Sequence, residues 1–202
     1  ATFFWGEDLF RDYEDWFVQT VKAACDNPEL NWLIKVHPAN LVKNYRDGID
    51  SEPSEMIALR DKIGPLPSHV KLLAADADIS TFSLLSMADY CITVRGTVGI
   101  EAALMGNTVL TAGTGRYDRH GFTIDFDSPE DYLAALAKLH IIKFDDDVVQ
   151  QRATRFGYGI FLCRPVRLRA ISVRYHQDKS ATIDVSLKVS TVAELGSSSD
   201  IT

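Results

Sequence analysis

The chain has 202 residues, 28 of them acidic against 21 Lys and Arg, for a formal net charge of −7. That balance excludes a nucleic-acid binder driven by phosphate neutralisation, which needs net positive potential. With 46% apolar and 24% charged residues the sequence can bury one substantial core and does not fit disorder. Its longest apolar stretches, such as Tyr158 to Cys163, fall far short of the roughly 18 residues of a bilayer span.

The start, Ala1-Thr2-Phe3-Phe4-Trp5, has no basic segment, no apolar leader and no Met, so it does not read as a secretory signal and is expected to continue a longer protein. From Asp8 to Cys25, the apolar positions Leu9, Phe10, Tyr13, Trp16, Phe17, Val21 and Ala24 recur at steps of three and four, which predicts an amphipathic helix ended by Asp26-Asn27-Pro28. Trp32 to Val36 is a short apolar run closed by His37-Pro38, the pattern of a strand buried on both faces. A polar stretch from Asn44 precedes a helix over Ser54 to Ile63, and Gly64-Pro65-Leu66-Pro67 breaks it.

A strand-then-helix rhythm follows: strand Val70 to Ala74, helix Ser80 to Met87 capped by Ser80 or Asp78, strand Tyr90 to Val94, helix Thr97 to Met105 stopped by Gly106-Asn107, strand Thr108 to Ala112. Ser128-Pro129-Glu130-Asp131 opens a helix ending near Leu139, with Ser as cap, Pro at the first helical position and an acid at the third. Strands alternating with helices in this way predict parallel pairing and a Rossmann-like α/β fold.

After Phe144 the rhythm changes. A polar helix around Asp147 to Phe156 leads to Arg164-Pro165; then Ile183, Val185, Leu187 and Val189 alternate with polar residues, a half-buried strand that can pair as a hairpin with Val166 to Tyr175. Gly196-Ser197-Ser198-Ser199 reads as a frayed end. The chain thus divides into a Rossmann-like domain over 1–163 and an extension over 164–202. Cys25, Cys91 and Cys163 are odd in number and form no C-x-x-C pair, the pattern of buried thiols in a reducing cytosol.

In an open parallel sheet, ligands occupy the crevice beyond the carboxyl ends of the strands. Three such ends carry unusual residues. His37-Pro38 offers an imidazole donor for a phosphate oxygen, or a structural hydrogen-bonder. Arg95-Gly96-Thr97-Val98-Gly99-Ile100-Glu101 runs from a strand into a helix, where small residues, the Thr hydroxyl and the helix N-terminus suit an anion and Glu101 suits a ribose diol. The alternative is that Gly96 and Gly99 serve close packing and Glu101 is solvated. Gly113-Thr114-Gly115-Arg116-Tyr117-Asp118-Arg119-His120-Gly121 is a glycine-rich loop that wraps a sugar or diphosphate, with Arg116 or Arg119 opposing its charge, or else faces water. Asp145-Asp146-Asp147 reads as a solvated helix cap rather than a metal site, the Arg-rich tail from Arg152 to Arg174 as a solvated surface, and Trp5, Trp16 and Trp32 as core aromatics.

Lys35-Val36-His37-Pro38, together with Ala88 to Thr111 containing Arg95-Gly96-Thr97-Val98-Gly99-Ile100-Glu101 and Gly106, resembles the carboxy-terminal half of bacterial capsule polysaccharide biosynthesis proteins, glycosyltransferases of GT-B architecture. The resemblance covers about Asp8 to Leu139. It implies a nucleotide-sugar donor, CMP-linked favoured, with His37 and Thr97 at donor phosphate beside Arg95, Gly96 and Val98, Glu101 at the ribose, and Gly113, Thr114, Gly115, Arg116 and Arg119 at the sugar. Gly96 stands where a second hydroxyl is often found, and Asn107 where a proline usually follows the helix-ending glycine.

What the resemblance implies is the donor-binding half of a sugar transferase for capsule or related surface polysaccharide. It would work with an amino-terminal lobe that supplies the catalytic acid or base, in the cytoplasm at the inner face of the bacterial membrane, with peripheral membrane association open. His37 and His120 are the only acid–base candidates by placement. No metal, no further cofactor and no nucleic-acid partner is expected. The alternatives are a UDP-sugar epimerase-like domain and a noncatalytic module of an assembly or export complex.

Overall fold

Helix α1 occupies Tyr13–Cys25 because Asp12 caps it: the Asp12 carboxylate accepts from the Asp15 N–H at 2.8 Å, and Glu14 and Asp15 add negative charge to the first turn. The helix therefore begins later than the apolar spacing predicts. Leu9 and Phe10 run past the sheet instead, the Leu9 N–H donating to the Ala112 carbonyl at 3.1 Å and the Phe10 ring meeting Tyr132 edge-on at 5.5 Å. This computed structural model describes residues 9–36, 52–144, 147–165, 170–175 and 183–197.

Strand β1 (Trp32–Lys35) pairs in parallel with β2 (Val70–Leu73), with helix α2 (Ser54–Lys62) between them in the chain. A second parallel set runs β3 (Tyr90–Thr93), β4 (Thr108–Thr111), β5 (Ile124–Asp125). Helix α3 (Thr81–Leu85) precedes β3, α4 (Thr97–Leu104) joins β3 to β4, and α5 (Pro129–Ala137) follows β5. Parallel strands flanked by helices make this the Rossmann-like α/β fold that the alternating pattern predicts.

Strand β4 is buried at all four positions because it has a core on each face. Val109 packs with Ile100, Ala102 and Ala103 of α4, whereas Leu110 packs with Tyr132 and Leu136 of α5. Strand β1 is not buried on both faces as its apolar run suggests. Ile34, paired with Leu72, meets Phe17, Val18 and Val21 of α1 and Ala58 and Leu59 of α2, while Leu33, paired with Lys71, remains 48% exposed on the uncovered side.

The two halves of this face are tied by a polar contact inside the core. Trp16 Nε1 donates to Tyr132 Oη at 3.0 Å and Thr20 Oγ1 lies 2.9 Å from the same oxygen, which fixes α1 against α5. Burial pushes the Tyr132 phenol up to about 12. Ser128 caps α5 as expected, accepting from the Asp131 N–H at 3.1 Å with Pro129 in the first turn. The Ser80 side chain makes no capping bond, and α3 is correspondingly short.

Helix α6 (Asp147–Tyr158) closes the core over α4, with Ala153 fully buried and Gly157 so near Leu104 that a Cβ there would lie 2.9 Å from Leu104 Cδ1. It continues as a π-helical turn, Gly159–Cys163. The expected hairpin is present as β6 (Ile171–Tyr175) and β7 (Ile183–Leu187), but β7 is exposed on both faces rather than half-buried. Gly196 and Ser197, expected to be frayed, belong to helix α7 (Val192–Ser197). Of the three free cysteines, only Cys91 is buried; Cys25 is half-buried and Cys163 exposed. Trp5, Asp145, Asp146, Arg167 and Arg169 lie outside the described residues, as do residues 44–51 of the polar stretch.

Candidate functional site

Strands β3 and β4 end together, Thr93 opposite Thr111, so the segments that follow them leave the sheet side by side. The Ala112 N–H donates to the Thr93 carbonyl at 3.0 Å and prolongs the pairing by one step. One segment, Val94-Arg95-Gly96, turns into α4. The other, Gly113 to Gly121, is the glycine-rich loop.

Tyr117 clasps the two together. Its ring is buried and stacks on Phe122 at 6.0 Å, and its hydroxyl donates to the Gly96 carbonyl at 2.7 Å. Burial pushes its phenol pKa upward. Gly99 makes room for it: a Cβ there would stand 2.1 Å from Tyr117 Oη. The pattern at 96–99 thus carries a packing requirement at Gly99, and the backbone of Gly96 is also committed inside the protein. Its N–H donates to Thr93 Oγ1 at 3.1 Å, and its carbonyl accepts from Gly99 N–H as well as from Tyr117. Gly96 therefore does not present its amide to a ligand.

The groups left facing outward begin one residue later. Thr97 and Val98 supply the first two amides of α4, which have no intrahelical partner by construction, and no hydrogen bond to them or to the Thr97 hydroxyl is found among the described residues. Arg95, half-buried, lays its guanidinium along Gly113, where a Cβ would stand 2.8 Å from Nη2. Loss of solvent around it lowers its pKa, with Asp118 acting in the opposite direction. Arg116 is exposed and donates to the Arg95 carbonyl through Nη1 at 3.4 Å. Glu101, half-buried one turn into α4, acts with burial to push the Cys91 thiol up to about 12.

Other polar residues of the loop satisfy one another. Asp118 Oδ1 accepts from the Gly115 N–H at 2.6 Å. Arg119 sits in the left-handed region (φ 59) and pairs with Asp127, so its charge is already opposed. Asp125 anchors the far end, accepting from Thr111 Oγ1 and Thr123 Oγ1 at Oδ1 and from the Arg119 N–H at Oδ2, each at 2.7 Å. His120 is exposed and leans on Phe156 of α6 at 4.8 Å. Thr114 is half-buried between these anchors.

The structure thus brings Arg95, Gly113 and Arg116 together next to Gly96, which leads into α4 at Thr97 and Val98, with Glu101 one turn further along that helix, and it directs Arg119 to Asp127 and His120 to α6. His37, expected opposite this edge, lies outside the described residues. Sequence reasoning missed Tyr117 and Asp125. A bulky aromatic among glycines in an otherwise polar loop was the available signal for Tyr117; for Asp125 there was none, since β5 has only two residues. Among the described residues no group of three or more His, Cys, Asp or Glu is placed to hold a metal ion, and no helix is long and apolar enough to cross a membrane. A hollow of about 330 Å³ lined by Lys22, Cys25, Asp26, Ile63, Pro65 and Pro67 lies apart from this edge.

The sequence profile of the capsule polysaccharide biosynthesis proteins matches residues 17–140, more than half of the chain. The chain belongs to the capsule polysaccharide biosynthesis protein family. The matched segment runs from α1 to just past α5 and so contains the whole β3–β4 edge and its two loops. Protein FixF of Sinorhizobium fredii (strain NBRC 101917 / NGR234) is 32% identical over 114 residues, which are 56% of this chain and 23% of FixF. The chain therefore corresponds to under a quarter of that relative's length. No solved structure matches it.

Proposed function

We propose that the chain is the donor-binding part of a glycosyltransferase of surface polysaccharide synthesis, one lobe of a GT-B enzyme, and that it holds a nucleotide-activated sugar, CMP-linked by preference, where β3 and β4 end. The observation that carries this reading is the Tyr117 clasp, because it holds a glycine-rich loop against the start of a helix whose first amides and first hydroxyl have no internal role. An anion is the natural occupant of such a helix start. Arg95 and Arg116 add positive charge beside it.

In this reading the donor phosphate takes hydrogen bonds from Thr97 Oγ1 and from the amides of Thr97 and Val98. Glu101, one turn further, accepts from the ribose hydroxyls. The sugar lies along Gly113, Thr114 and Gly115, and His37 is assigned with Thr97 to the donor phosphate. None of these residues is assigned as acid or base. A second lobe supplies that group across the cleft, at the cytoplasmic face of the membrane, so the chain by itself binds nucleotide and does not turn over.

Isothermal titration with CMP, CDP, UDP and GDP tests this. Preference for CMP supports the reading, whereas preference for UDP replaces it with an epimerase-like donor domain. Absence of binding to all four by a folded chain refutes it in favour of a noncatalytic module.

A further inference from the structure

The outer edge of β7, unpaired among the described residues, has a specific charge pattern. Ile183, Val185 and Leu187 of β7 are 53%, 65% and 70% exposed, and their register partners across the ladder are Tyr175, Val173 and Ile171. The Lys188 N–H donates to the Ala170 carbonyl at 2.8 Å, in register with the Ile171–Leu187 pair. In an antiparallel ladder such partners exchange both bonds and their neighbours exchange none. Lys188, Ser186 and Asp184 therefore aim their backbone groups at β6, and Ile183, Val185 and Leu187 aim theirs outward. Among the described residues no strand pairs with that outer edge.

We infer that β7 pairs antiparallel with β7 of a second copy of this chain, about a twofold axis at Ser186. Outward-facing residues pair with outward-facing residues only when the axis falls on or between alternate side chains, which leaves few registers. An axis at Val185 opposes Asp184 to Ser186, and an axis at Asp184 opposes Asp184 to itself. The axis at Ser186 opposes Asp184 to Lys188 twice, and places Val185 against Leu187 and Ile183 against Val189. Opposite charges and apolar residues facing one another across a ladder stabilise it, while like charges destabilise it. Strand β6 has Arg174 as its sole charge, directly opposite Asp184 in the hairpin, so its outer edge offers no such complementarity, and in the pair of copies each Asp184 lies between Arg174 of its own hairpin and Lys188 of the other. An exposed, apolar edge without proline or bulge is a template for pairing, and a twofold contact closes on itself as a dimer.

Sedimentation equilibrium of the 202-residue chain and two variants tests this, with far-UV circular dichroism as the fold control. The wild type is expected to form a concentration-dependent dimer. Lys188→Glu opposes two carboxylates twice, Asp184→Lys opposes two ammonium groups twice, and each is expected to weaken self-association roughly tenfold. Mixing the two variants restores both opposite-charge contacts between copies, and a heterodimer tighter than either variant's homodimer is expected, short of wild-type affinity because the lysine introduced at position 184 still faces Arg174 of its own hairpin. A second check is Ser186→Cys in a Cys163→Ser background, which should form an intermolecular disulfide on mild oxidation because the two copies of residue 186 meet at the axis. A monomer at all attainable concentrations, a dimer indifferent to the charge changes, open-ended oligomers, or failure of the mixed variants to associate each overturns the inference.

Discussion

Replacing Gly99 by Ala sets two known effects against each other. Ala is the better helix former by up to about 1 kcal/mol, and Gly99 lies inside α4, so propensity alone predicts a more stable protein. The added Cβ, however, would stand 2.1 Å from Tyr117 Oη and 2.8 Å from Cζ, which obliges a buried ring to retreat by more than about 1 Å before ordinary contact is reached. Retreat breaks the 2.7 Å bond to the Gly96 carbonyl, worth about 1 kcal/mol, and disturbs the packing on Phe122 at about 1–3 kcal/mol. The clash wins, and Gly99→Ala should destabilise by about 1–3 kcal/mol. Tyr117→Phe alone should cost about 1 kcal/mol, because the Gly96 carbonyl keeps its bond from Gly99 N–H. The two changes together should cost less than their sum by about 1 kcal/mol, since removal of Oη relieves the nearest overlap. Urea unfolding followed by tryptophan fluorescence gives the stability of the wild type and of all three variants. In parallel, tryptic cleavage after Arg116 and Arg119 should accelerate in Gly99→Ala as the loop loosens. A Gly99→Ala protein as stable as wild type, or strict additivity in the double variant, would refute the clasp.

Thr97→Val should weaken nucleotide binding by about 1–2 kcal/mol with little change in melting temperature, since the hydroxyl supports nothing internal; unchanged affinity by titration calorimetry rules out the phosphate role. Glu101→Gln should weaken nucleoside recognition and leave inorganic phosphate binding alone, and equal losses for both would misplace the ribose. Asp125→Asn should cost about 1–3 kcal/mol in urea unfolding, because the amide turns a donor toward the Arg119 N–H or toward two hydroxyls; no loss would show that the anchor is dispensable. Alkali should destabilise the fold: the Cys91 thiol, held at about 12 by burial and by Glu101, keeps a proton that the unfolded chain releases from about pH 9. Stability is then full below about pH 9 and falls by up to about 1.4 kcal/mol per unit as pH rises toward about 12. Flat urea midpoints from about pH 8 to about pH 11, or thiol labelling of Cys91 as fast as that of Cys163, would contradict the burial.

Strand order and helix order were readable because they rest on local signals that the structure honours. Ser128 caps α5 through its own hydroxyl, and Gly106 ends α4 at a φ of 90° that other residues rarely adopt. Errors arose where a local pattern is overruled by what lies across from it. Leu9 and Phe10 continue the helical spacing of α1, yet a carboxylate at Asp12 starts the helix later and frees both residues for the sheet. Trp32 to Val36 reads as buried on two sides, yet α1 and α2 cover the same side, and Leu33 is left beside Lys71. Strand β5 has two residues, too few to carry a period.

Which segments follow the ends of β3 and β4 was legible in the sequence, and how their polar groups pair was not, for a physical reason. Small and polar residues after a parallel strand mark where ligands bind, but the same residues also satisfy the loops that carry them. Several of the polar groups singled out there turn inward or toward one another: Arg119 to Asp127, Asp118 to the Gly115 amide, and Gly96 to Thr93 and Tyr117. Which donor is left over is decided by a tyrosine 21 residues away and by its fit against a glycine, and spacing along the chain contains neither. Thr97 therefore emerges as the strongest ligand-facing candidate by subtraction. It starts α4 with no hydrogen bond to its hydroxyl among the described residues, and for that reason a titration that fails at Thr97 would weigh more against the donor-binding reading than one that fails at any glycine of the loop.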